Sequence, residues 1–186
     1  KKKNFKKINS VPLFLHPIKE AKKSKYIDDI YFNSDSSYML NLAKKNGAIA
    51  KFKRPNNLSK NDSKISDVLQ HHFEYYDIEK KFDYFILLEP TSPLTTYKEI
   101  DSALKKIINN KKASSLVSIT SKTIPNFSMK VRKKIGLLYP EKNISLYKTR
   151  RQDLKKEYYI CGALYISKIK SFIKYKNFVQ PKTAYY

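Results

Sequence analysis

The stretch Tyr84-Phe85-Ile86-Leu87-Leu88-Glu89-Pro90-Thr91-Ser92-Pro93-Leu94 decides how this chain is read. Its first five residues form the most apolar run in the sequence and show no period-two alternation. Both faces are therefore expected to be buried, as in a central strand of a parallel sheet. Glu89-Pro90 breaks the run, and Thr96-x-x-Glu99 then forms a capping box ahead of a helix through Ile108. Working outward, the same alternation of strand and helix recurs. Residues 27–32 are a short β-branched and aromatic run ending in the polar turn Asn33-Ser34-Asp35, and residues 38–45 have helical character closed by Asn46-Gly47. Residues 48–52 give another strand. A loop of turn formers runs from Arg54 to Asp62, and Ile65, Val68, Leu69 and Phe73 return to helical spacing. Nearer the start, Pro12 suits a first helical turn ahead of Leu13, Phe14, Ile18 and Ala21. Beyond residue 110, residues 115–120 read as a strand, 128–132 and 136–139 as a hairpin, and 158–166 as a further strand.

Repeated β-α-β units imply an α/β fold, three-layered, with a mostly parallel sheet. In such sheets ligands bind beyond the carboxyl ends of the strands. Two polar motifs stand at such ends: Asn33-Ser34-Asp35 and Glu89-Pro90-Thr91-Ser92-Pro93.

The 186 residues carry 39 Lys+Arg against 16 Asp+Glu, a formal net charge of +23. That balance suggests a polyanionic partner. Only Arg54, Arg132, Arg150 and Arg151 are arginines, however, and arginine is the residue favoured for bidentate reading of bases and phosphates. Lys, Asn, Ile, Tyr and Phe, all encoded by A+T-rich codons, supply 92 of the 186 residues, so codon drift explains the charge without a nucleic-acid partner. At 41% hydrophobic and 13% aromatic the chain is too apolar to be disordered, and its length suits one domain, taken as residues 1–186. No apolar run reaches the length that spans a bilayer. A single cysteine, Cys161, forms neither an internal disulfide nor a cysteine metal site and fits a reducing cytoplasm. His71 and His72 are neighbours on a helix with no carboxylate at metal-ligand spacing, which favours packing over metal binding.

Several motifs, in order, carry a resemblance. They are Lys3-Asn4, Pro12-Leu13, Asn33-Ser34-Asp35, residues 43–48 (Ala-Lys-Lys-Asn-Gly-Ala), Arg54-Pro55, residues 87–94, Val117-Ser118, residues 150–154 (Arg-Arg-Gln-Asp-Leu) and residues 162–166 (Gly-Ala-Leu-Tyr-Ile). Together they make the chain similar to the cytidylyltransferases that activate nine-carbon α-keto acid sugars: the CMP-sialic acid (N-acylneuraminate) synthetases and their legionaminic and pseudaminic relatives. The resemblance implies a Rossmann-like nucleotidyltransferase fold with a small dimerisation extension within about residues 125–186. It also implies a homodimer that transfers CMP from CTP to the anomeric hydroxyl of a nonulosonic acid with Mg²⁺, releasing pyrophosphate for bacterial surface glycans.

By the same resemblance, Lys3 would neutralise phosphate oxygens as the catalytic cation, and Asn4, Asp35 and Ser63 would join it in binding nucleotide. Glu89, Thr91, Ser92, Arg151, Gln152 and Tyr165 would bind the sugar, with Arg151 on its carboxylate. Phe178 would reach across the dimer to the neighbour's sugar pocket. The Pro-Thr-Ser-Pro-Leu form points to the sialic or legionaminic branch. Against the family pattern, the sequence lacks the first strand with its Arg/Ser/Gly-rich loop and the metal-binding Asp-x-Asp. It is therefore expected to hold no metal ligands and to be inactive by itself. Cys161 replaces the usual asparagine, Asn61 a frequent aspartate and Thr95 a common arginine. The rival readings are a synthetase of the eight-carbon CMP-KDO type and, from the charge alone, a nucleic-acid-binding module.

Overall fold

The computed structural model describes residues 3–122, 129–132, 137–140, 150 and 157–186, with side chains described for 3–121, 150 and 157–186. Two compact units result, one of Lys1–Ser118 with Gly162–Tyr186 and one of Ile119–Cys161.

The first unit opens on a hairpin of β1 (Lys7–Ile8) and β2 (Val11–Pro12), joined by Asn9 and Ser10 at φ 48° and 64°. Two successive positive-φ residues match the turn whose twist suits an antiparallel pair. Pro12 thus belongs to a strand and not to the first helical turn. The helix α1 (Leu15–Ala21) begins three residues later and buries Leu15, Ile18 and Ala21. Ser36 caps α2 (Ser37–Lys45), its hydroxyl accepting the Met39 N–H at 3.4 Å, and Gly47 at φ 92° follows its end. The strands expected at residues 27–32 and 48–52 are reduced to one parallel bridge between Tyr31 and Ile49. Two bonds frame it: Phe32 N–H to the Ile49 carbonyl at 2.8 Å and Ile49 N–H to the Ile30 carbonyl at 2.7 Å.

The helices α3 (Ile65–Tyr76) and α4 (Ile78–Lys81) are separated by Asp77 in the left-handed region, and β3 (Tyr84–Leu87) follows. The capping box forms as expected ahead of α5 (Tyr97–Asn109), with the Thr96 N–H donating to Glu99 Oε2 at 2.8 Å. After β4 (Ser115–Lys122), the hairpin expected at 128–139 forms in the second unit from β5 (Met129–Arg132) and β6 (Leu137–Pro140). Then β7 (Glu157–Lys168) carries the chain back to the first unit. The helix α6 (Ile169–Tyr175) and strand β8 (Thr183–Tyr185) complete the chain.

The main sheet has the order β3-β7-β4-β8. β3 and β7 are antiparallel, and β4 and β8 are parallel. Lys168 N–H bonds the Ser114 carbonyl and Leu164 N–H bonds Ser118 Oγ, so β7 and β4 run in opposite senses. The sheet is therefore mixed, with β7 as the one strand opposed to β3, β4 and β8. One face is covered by α5, whose Ile100, Ala103, Leu104 and Ile107 pack on Leu116, Leu164 and Ile166. Burial of each of these leucine and isoleucine side chains contributes about 1.5–3 kcal/mol. A second cluster joins Phe14, Leu15 and Ile18 to Met39, Ala43 and Ala48. All four residues of β3 are half-buried, not closed off on both faces, because β3 is an edge strand here.

Candidate active site

A cleft of about 910 Å³ lies in the first unit, walled by residues 26–36 on one side and 81–90 on the other. Its floor is apolar, with Ile30, Phe32, Ile86 and Leu88 among the lining residues. Its polar lining includes Lys3, Asn4, Asn33, Asp35, Arg54 and Glu89 beyond the ends of residues 27–32 and 84–88, and also Asp28, Asp29, Lys81 and Asp83 near their starts. Three of these hold a buried polar atom with no hydrogen-bond partner: Asn4 Oδ1, Asn33 Oδ1 and Arg54 Nε. Orphaned buried polar atoms are rare in folded proteins, and three lining one cleft mark it as built to meet a polar ligand.

The groups around Asn33 are fixed by burial. Its amide is 3.2 Å from His72 Nδ1, and the His72 ring packs on Tyr31, Phe52 and Tyr76. Burial first, and then the neighbouring His71, bring the His72 pKa down to about 4. The ring is thus neutral at pH 7, and its Nδ1 accepts from the Asn33 amide. Burial, reinforced by Asp29, pushes the Tyr31 hydroxyl up to about 12, and that hydroxyl donates to Asp29 Oδ2 at 3.0 Å.

Of the residues expected in the site, Lys3, Asn4, Asp35 and Glu89 are brought together along this cleft. Asp35 is exposed and leaves the helix cap to Ser36. Glu89 is half-buried and accepts from the Thr91 hydroxyl at 3.0 Å. Thr91 therefore orients Glu89 and, like Ser92, lies off the cleft lining. Ser63 is likewise off the lining; its hydroxyl accepts the Lys60 N–H at 3.0 Å and donates to the Asn57 carbonyl, which ties it into its own loop. Tyr165 stacks on Phe178 at 4.9 Å between ring centroids, away from the cleft. Phe178 itself is 7% exposed, held between Phe85, Phe172 and Tyr165. Within its own chain it packs in the core. Arg151 and Gln152 lie outside the described residues.

Arg54 and Asn33 join the cleft without a role assigned by the sequence motifs, and the sequence signal that sets Arg54 apart is its rarity as one of four arginines. Among the described residues no three His, Cys, Asp or Glu side chains gather as a metal site. The described residues by themselves therefore do not fit Mg²⁺. Among the described residues, too, no helix is long and apolar enough to cross a membrane.

A mixed α/β sheet with a cleft beyond its strand ends defines the class of α/β folds that bind ligands in such a crevice. A solved structure of CMP:2-keto-3-deoxy-manno-octonic acid synthetase complexed with CTP has this fold, with a TM-score of 0.66 at 12% identity, over 94% of this chain and 70% of that one. The profile of the cytidylyltransferase family matches residues 1–186, and the chain belongs to that family. It is 27% identical over 187 residues to the pseudaminic acid cytidylyltransferase of Campylobacter jejuni serotype O:2, covering 98% of this chain and 78% of that protein. The CMP-N,N'-diacetyllegionaminic acid synthase of Legionella pneumophila is 26% identical over 97% of this chain and 77% of its own length.

Proposed function

We propose that this chain acts in transferring CMP from CTP to the anomeric hydroxyl of a nonulosonic acid. The sugar oxygen forms a bond to the α-phosphorus, the α–β phosphoanhydride breaks, and pyrophosphate leaves with its electrons; the hydroxyl proton passes to a base. The observation that carries this is the family match over all 186 residues, with two relatives that act on nine-carbon acidic sugars. Their identities differ by one percentage point, so the substrate proposed is the nonulosonic class, widened from the sialic and legionaminic branch to include pseudaminic acid.

In this reading Lys3 lies against the phosphates, where a point charge offsets the negative charge that builds on the leaving group. Asn4, Asn33 and Arg54, each with an orphaned polar atom, supply hydrogen bonds to the nucleotide, and Asp35 lies beside them. Glu89, held by Thr91, faces the sugar hydroxyls. Arg151 is proposed for the sugar carboxylate. Mg²⁺ would neutralise the triphosphate when bound. A homodimer in the cytoplasm is the proposed working state.

The test is pyrophosphate release by the gene product that carries these residues. It is run with CTP, UTP or ATP and Mg²⁺ against pseudaminic, legionaminic and N-acetylneuraminic acids and KDO. Release with CTP and a nine-carbon acid is expected. Turnover with KDO alone moves the assignment to the eight-carbon enzymes, and none with any nonulosonic acid refutes it.

A further inference from the structure

One arm of the Asn33 amide is committed and the other is not. Its Nδ2 lies 3.2 Å from His72 Nδ1, whereas Oδ1 is buried with no hydrogen-bond partner. Both residues line the cleft. A primary amide turned end for end keeps its shape but exchanges donor for acceptor, so something must set which end faces where. Here it is the ring opposite. His72 is 7% exposed and is caged by Tyr31 at 5.6 Å, Tyr76 at 4.7 Å and Phe52 at 5.9 Å between centroids. Among the described residues no carboxylate pairs with it, and burial keeps the ring neutral. A neutral imidazole has one N–H, and with Nδ1 accepting from Asn33 that proton is on Nε2. Reversing the amide would require the proton to move to Nδ1 at the same time, so each group fixes the other. His71 takes no part in this. Its ring packs on Phe52 at 5.2 Å, and its own Nδ1 is buried without a partner.

We propose that His72 is a positioning residue for the nucleotide: by accepting from the Asn33 amide it presents Asn33 Oδ1 to the cleft as an acceptor for an N–H or O–H on the nucleoside half of CTP. This rests on the CTP reading above and sharpens it. Phosphate oxygens are acceptors too, so Oδ1 repels the triphosphate, which is left to the cations Lys3 and Arg54. The donors of CTP are the exocyclic amino group of the base and the ribose hydroxyls, and one of these meets Oδ1. Without His72 the amide could present Oδ1 only by burying Nδ2 unpaired. An unsatisfied buried donor carries a penalty that weakens binding about tenfold.

Calorimetric titration of the gene product that carries these residues tests the proposal with two variants that separate packing from positioning. His72→Phe fills the aromatic cage but removes the acceptor; His72→Asn leaves part of the cage empty but keeps an acceptor where Nδ1 stood. Packing alone ranks Phe above Asn, and positioning ranks Asn above Phe. His72→Phe is expected to weaken CTP about tenfold, with a urea midpoint at pH 7 close to the parent's, and His72→Asn to recover most of that loss. Added to Asn33→Ala, His72→Phe should cost nothing further, because it acts through Asn33. A loss for CTP that is absent for UTP, which has a carbonyl in place of the amino group, assigns the donor to the base. A loss shared by CTP and UTP but absent for 2′- or 3′-deoxy-CTP assigns it to the ribose. An equal loss for all four nucleotides overturns the proposal, as does a His72→Phe variant that binds CTP like the parent or at least as tightly as His72→Asn. Nitrogen NMR of the ring without nucleotide gives a separate check: a proton on Nε2 is expected, and one on Nδ1 overturns the positioning whatever the nucleotide does. A parent protein that binds no CTP refutes the nucleotide reading itself and this inference with it, whereas any of the other failures leaves that reading standing.

Discussion

Replacing Phe178 with alanine separates a core role from a role in a neighbouring subunit. Its ring lies 4.9 Å from Tyr165, 4.9 Å from Phe172 and 5.5 Å from Phe85 between centroids, and 7% of the residue is exposed. Truncating a buried phenylalanine costs about 3–5 kcal/mol, part lost transfer energy and part the cavity left among rings that cannot close over it. The value is expected toward the upper half because Phe85 and Phe172 also touch each other and Phe73, which limits collapse. With an m-value of about 2 kcal/mol/M in urea, the midpoint falls by about 2–2.5 M. Phe178→Leu keeps most of the volume and is expected to cost about 1–1.5 kcal/mol. Equilibrium urea unfolding, followed by far-UV circular dichroism at a concentration where the chain is monomeric, reads both. A loss under 1 kcal/mol for the alanine variant refutes the core assignment and returns Phe178 to the surface.

His72 gives a pH prediction. Its folded pKa of about 4 lies below the unfolded value of about 6.5, so folding favours the neutral ring. The stability it contributes is whole above pH 6.5 and is lost as pH falls toward 4, by about 3 kcal/mol; His72→Phe should flatten that part of the urea-midpoint profile, and an unchanged profile counts against it. Thr96→Ala removes the hydroxyl of the capping box and is expected to lower the unfolding free energy by about 1 kcal/mol in the same urea assay. Lys3→Ala and Arg54→Ala should each weaken CTP binding about tenfold or more by calorimetry, as loss of a hydrogen bond to a charged group implies, with urea midpoints close to the parent's.

The legible parts of this fold were those in which local chemistry and tertiary packing agree. Thr96 and Glu99 announce the start of α5, and the cap forms with the geometry the residues require. In the polar turn Asn33-Ser34-Asp35, Asp35 suits a cap of the next helix as well as a ligand contact, and the sequence does not choose between them. Ser36 takes the capping role, while Ser34 is buried and its hydroxyl accepts the Ser36 N–H at 3.1 Å. Pro12 was misplaced because a proline at the first position of a helix and one at the end of a two-residue strand look alike without the positive-φ pair Asn9 and Ser10. The short helix α6 and strand β8 have no period long enough to detect; α6 is held by Ile169 and Phe172, and β8 by register with Ser115–Val117, contacts made far along the chain.

The site was legible in its positions and less so in its partners. Lys3, Asn4, Asp35 and Glu89 line one cleft, Asp35 and Glu89 because each follows an apolar segment, residues 27–32 and 84–88, that walls it. Ser63 and Thr91 failed to join them for a local reason: a hydroxyl two to six residues from a carbonyl or carboxylate bonds to that neighbour before it meets a ligand. The net charge of +23 misleads for a related reason. Among the described residues two ion pairs form, Lys23 with Glu20 and Lys80 with Asp77, each between close neighbours on the chain. With so few carboxylates to meet, most lysines answer to solvent and not to structure. What distinguishes Lys3 and Arg54 from most of the other cations is thus not their sign but their place, lining the cleft in which Asn4 Oδ1, Asn33 Oδ1 and Arg54 Nε are buried without partners.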